Sequence, residues 1–81
     1  MNTIKLARDI QRICQEESET LTQWAGQVKD RMQEPIPDTD LTYDLYLMQR
    51  SIEEAVSNLQ DAVKNAVSAE ANCIRLGEGE E

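Results

Sequence analysis

Glu34-Pro35-Ile36-Pro37-Asp38 is the stretch that decides the fold. Proline lacks the N–H that a helix interior needs and biases the residue before it away from the helical region. Two prolines so close together end any helix that reaches them. On both sides of this stop, apolar residues recur at steps of three and four, the spacing of one stripe along an α-helix. Upstream the stripe runs Ala7, Ile10, Cys14, Leu21, Trp24 and Val28. Downstream it alternates Leu45, Ile52, Leu59, Ala66 and Cys73 with Leu41, Met48, Ala55, Ala62, Ala69 and Leu76. The expected fold is all-α: a long antiparallel helical hairpin that completes a bundle by dimerisation or partner binding.

The boundaries follow from local chemistry. Asn2 or Thr3 caps a first helix over about 3–33, the turn covers 34–39, and Asp40 caps a second helix over about 41–76. Residues 1–76 then form one helical domain, and Gly77-Glu78-Gly79-Glu80-Glu81 is an acidic tail. Glu17 falls on a stripe position. Either the helix stays continuous with Glu17 turned to solvent, or it breaks near Ser18, which would cap a further helix. Helices of this length run about 45 to 50 Å, and the short linker makes them antiparallel neighbours. With the turn centred near Ile36 and Pro37, facing residue numbers sum to roughly 75. Leu6, Ile10 and Ile13 would then meet Ala62, Ala66 and Ala69, large against small. Trp24 reads as a core anchor. Gly26 either permits a close approach or costs about 1 kcal/mol as a mid-helix glycine. Leu6, Ile13, Tyr46, Val56, Val63, Val67 and Ile74 are left as exposed flanks, a surface that marks a partner or a second copy.

Composition narrows the function classes. The 81 residues include 8 basic and 16 acidic side chains, no His, two Cys and a net charge of −8. That balance disfavours nucleic acid and anionic membranes as partners, because both need a basic footprint. Without His, the commonest general base and metal ligand are missing, and no glycine-rich phosphate loop or C-x-x-C pair is present. The expectation is no enzyme, no cofactor and no metal. Cys14 and Cys73 stand far apart on the apolar stripe, the habit of reduced thiols in a cytoplasmic protein. No uninterrupted apolar stretch suggests a signal or a membrane span.

Charge is unevenly spread. Residues 1–15 carry +2, while the turn region 34–44 carries −4. The candidate partner-binding residues are therefore the acids Glu16, Glu17, Glu19, Asp38, Asp40 and Asp44, with Trp24 and Tyr46 as apolar anchors. In this the chain resembles small acidic helical proteins of phage that inhibit host defence complexes, CRISPR effectors among them. The resemblance implies a non-enzymatic inhibitor or adaptor that occupies a basic surface of a partner. A second resemblance is one of layout. Two long helices about a proline-bounded turn, with Pro35-Ile36-Pro37-Asp38 followed by Tyr46 and Gln49, look like type III secretion needle subunits. That resemblance implies a self-assembling structural hairpin. The chain departs from it at the C-terminus, where needle subunits usually end in a buried apolar segment. Trp24-Ala25-Gly26 looks like the W-x-G tripeptide of small secreted helical-hairpin proteins of mycobacteria. There the tripeptide occupies the turn, whereas here it lies inside the first helix, so it carries no function across.

Overall fold

The computed structural model describes residues 2–77. They form two helices, α1 (Thr3–Met32) and α2 (Thr39–Arg75), packed side by side as a hairpin with extents of 61 × 17 × 14 Å. The acidic tail from Glu78 onward lies outside the described residues.

Each helix begins on a side-chain cap. Asn2 is extended and its Oδ1 accepts the Lys5 backbone N–H at 3.0 Å. At α2 the cap is Asp38, not Asp40. Asp38 follows Pro37 in an extended conformation, its Oδ1 accepts from the Asp40 N–H at 2.9 Å, and its carbonyl accepts the Thr42 N–H at 3.1 Å. Because the cap is already in place, Asp40 enters the first turn, where its charge complements the helix N-terminus. Gly77 ends α2 at a φ of +76°, the left-handed conformation that favours glycine just past a helix.

α1 is continuous through Glu17 and Ser18, so the alternative break does not occur. The reason corrects the assignment of the seam. The residues of α1 least open to solvent include Ile4, Ala7, Gln11, Cys14, Ser18, Leu21, Ala25, Val28 and Met32; on α2 they include Leu45, Gln49, Ile52, Val56, Leu59, Val63, Ala66, Glu70 and Cys73. One half of each expected stripe is therefore right. Most of the other half is rotated to the outside: Ile10, Glu17 and Trp24 on α1, and Leu41, Met48 and Ala69 on α2, are exposed, while Ala55 and Ala62 stay half-buried.

Transfer energetics account for part of the rotation, which leaves Ile10, Trp24, Leu41 and Met48 exposed. Val56 and Val63 join Ala55 and Ala62 as half-buried residues of α2, and each additional CH₂ removed from water contributes about 0.8 kcal/mol. Keeping Glu17 and Arg31 outside avoids burying two charges. Gln11 and Ser18, which take the inward positions, are uncharged, and Ser18 is only 5 % exposed. Val56 and Val63 thus belong to the seam, and Trp24, 54 % exposed, is no core anchor.

The register also differs from the expected one. Gln11 Nε2 donates to Glu70 Oε1 at 3.0 Å, and Arg8 Nε lies 3.4 Å from Glu70 Oε2. These contacts place α2 three to six residues farther along than a turn-centred estimate would. The seam residues set the register; the midpoint of the turn does not. Cys14 and Cys73 are both unbridged.

The geometry at Gly26 decides between its two readings. A Cβ there would meet nothing within 4 Å, so no close approach requires the glycine. Gly26→Ala is expected to stabilise the hairpin by about 0.5–1 kcal/mol, through helix propensity and a less flexible unfolded chain. Thermal melts check this, and an unchanged or lower midpoint contradicts it.

Candidate functional site

The seam is thin. Ile4, Ala7, Ala66 and Cys73 are the buried hydrophobic residues among those described, and no large side chain is fully enclosed. Small and polar groups (Ala7, Gln11, Cys14, Ser18, Ala25) line much of the inner face of α1. They let the helices approach closely but remove little apolar surface from water.

The apolar residues displaced from the seam gather on one side. In an antiparallel helix pair, positions that flank the seam in the same direction on both helices fall on the same face of the hairpin. On α1 those positions include Leu6, Ile10, Ile13, Glu17, Trp24 and Arg31. On α2 they include Leu41, Asp44, Met48, Ser51, Ala55, Asn58, Ala62, Asn65, Ala69, Asn72 and Leu76. Only Glu17, Arg31 and Asp44 are charged on this flank, in a chain where 30 % of residues are. Periodicity detected the apolar character of these positions. It could not tell that they point away from the partner helix.

The flank is uneven in size along its length. Ile10 and Ala69 stand at the same height, because their chain neighbours Gln11 and Glu70 are hydrogen-bonded across the seam. Trp24 lies fourteen residues beyond Ile10, and Ala55 fourteen before Ala69, so these two are level as well. Over this span α1 presents a ridge of large apolar side chains (Ile10, Ile13, Trp24) interrupted by Glu17, and α2 a run of alanines and asparagines. Nearer the turn, Asp44, Leu47, Met48, Ser51 and Ile52 line an open depression of about 640 Å³.

No protein family, curated protein or solved structure matches this chain.

The acidic candidates do not converge. Glu16, Glu17 and Glu19 sit in the middle of α1, about 30 Å along the axis from the turn that carries Asp38, Asp40 and Asp44. Their local roles differ too. Asp38 is the cap of α2, and Glu16 pairs with Arg12 at 3.9 Å. Glu17 and Asp44 lie on the sparsely charged flank, while Glu19 lies off it. Tyr46 lies on the opposite flank, beside Gln49, Arg50 and Glu53. Trp24 is the one expected anchor set on the apolar ridge.

Titration adds little to this surface. Asp9, at the open end, accepts a hydrogen bond from Lys5 Nζ at 2.9 Å, which holds its carboxyl below the ordinary value of 3.8. Among the described residues, no three His, Cys, Asp or Glu side chains are placed to hold a metal ion, and no helix is long and apolar enough to cross a membrane.

Proposed function

We propose that this chain is a non-enzymatic structural hairpin that works by assembling with its own copies through the sparsely charged flank. One observation carries the reading: among the described residues, twelve large hydrophobic side chains are exposed, seven of them (Leu6, Ile10, Ile13, Trp24, Leu41, Met48 and Leu76) on this flank, whereas Ile4 is the single large aliphatic one that is buried. Apolar surface that the hairpin cannot bury within itself marks a packing site for further helices. The layout it shares with needle subunits supports the same reading.

An acidic inhibitor acting on a basic partner would be better served by carboxylates gathered on one face. Here they are divided between the middle of α1 and the turn, and Asp38 is engaged in capping. Self-assembly is therefore the preferred function.

Sedimentation equilibrium over a micromolar to millimolar series tests it. The mean mass is expected to rise with concentration. A monomer throughout the series would sink the proposal.

A further inference from the structure

We infer that the occupant of the sparsely charged flank is a second copy of this chain, paired face to face about a two-fold axis along the hairpin, turn beside turn. This rests on the assembly reading above and specifies its geometry.

The first argument is self-complementarity. Such an axis lays α1 of one copy over α2 of the other at equal height. Ile10 then faces the second copy's Ala69, Trp24 its Ala55, and Glu17, between them, its Ala62 beside Asn58 and Asn65, because these pairs are level within each hairpin. Ridge meets run of small residues twice, once on each side of the axis, as an isologous contact requires. A head-to-tail pair would instead put ridge on ridge and leave the alanines facing one another.

The second argument is charge. Continuing seven residues past Trp24 reaches Arg31, and Asp44 lies on the other helix about one turn nearer the loop. The two-fold brings each Arg31 toward the second copy's Asp44, so the opposite charges at the turn end of the flank pair twice. Both acidic turns then share one end of the pair. Their carboxylates stay exposed and are screened at physiological salt, where the Debye length is about 8 Å.

The third argument is area. A compact chain of 9.2 kDa exposes about 4,900 Å². This one exposes 6081 Å². The excess, about 1,200 Å², is on the scale of the roughly 800 Å² that each partner contributes to a standard stable interface.

Trp24, the only tryptophan, is a native reporter of this contact. Its emission is expected to shift to the blue as concentration rises. Ala69→Arg, at an exposed site on the run of small residues, is expected to weaken self-association about tenfold or more and to abolish that shift. Ser68→Arg, one residue away and off the flank, should change neither. Polarity is read with a spin label at Glu34→Cys in a Cys14→Ala/Cys73→Ala background whose helicity is first checked by circular dichroism. Labels in a turn-beside-turn pair lie within about 20–30 Å of each other. In a head-to-tail pair they would be separated by something close to the 61 Å hairpin length. The long distance, or undiminished association of Ala69→Arg, overturns the inference and leaves self-assembly standing. A monomer at every concentration overturns both.

Discussion

Ala66→Asp is expected to unfold the hairpin at neutral pH, whereas Ala69→Asp, three residues on, is expected to leave it folded. Ala66 is 7 % exposed and faces α1 across the seam; Ala69 is exposed. A carboxylate at 66 would be buried without a partner, at a cost of several kcal/mol. A chain of this length has about 4–12 kcal/mol of total stability, and a hairpin with so thin a seam belongs at the low end. At 69 the same side chain stays in water and costs about 0.5 kcal/mol in helix propensity. Burial raises the carboxyl's pKa in the folded state, so the penalty applies once the group ionises and fades as the pH falls. Helix content of Ala66→Asp should therefore recover on acidification through the carboxylate range. Far-UV circular dichroism on dilute protein measures both variants. Equal destabilisation at 66 and 69 would restore the seam expected from periodicity and refute the rotated one.

The second large effect concerns the polar contact inside the seam. Gln11 and Glu70 occupy inward positions that an ideal hairpin would fill with aliphatic side chains, and Glu70 is half-buried with Arg8 beside it. Replacing both, Gln11→Leu with Glu70→Leu, removes a partly desolvated charge and adds apolar burial. The double variant is expected to gain about 1–4 kcal/mol. At roughly 4–8 °C for each kcal/mol in a domain of this size, the melting midpoint should rise visibly. Gln11→Leu alone should gain much less, because Glu70 keeps its burial and loses the amide donor. The stabilised double variant should also hold its register less strictly, since a polar pair inside a helix seam disfavours slipped alignments. A double variant that melts below the parent would show that the contact holds the open end together.

These two cases also show what the sequence made legible. The prolines at 35 and 37 and the three-four spacing on either side define the turn and the helical segments that flank it, with the continuity of the first helix at Ser18 left open. The seam was half legible. The row Ala7, Cys14, Leu21 and Val28 lies inward under either frame, while Ile10 and Trp24 are as apolar as any residue that is buried. Choosing the frame meant weighing Glu17 and Arg31 inside against Gln11, Ser18 and Glu70 inside, and Ile10 and Trp24 against Val56 and Val63. That comparison needs both helices at once. Register was hidden for a related reason: Glu70 finds Gln11 and Arg8 only after the seam is set. The candidate surface was legible in its residue types, since Leu6 and Ile13 were expected as flanks. The side on which Ile10 and Trp24 join them was not.

The elongated shape has a hydrodynamic consequence. A compact chain of this length has a radius of gyration of about 12 Å, whereas this one has 18.1 Å, set by its length rather than its mass. Retention on a sizing column therefore exaggerates the molecular weight, and the monomer migrates like a larger globular protein. The same feature makes small-angle scattering selective for how copies join. Side-by-side addition doubles the forward intensity but lengthens nothing, so the radius of gyration hardly moves. End-to-end addition raises both together.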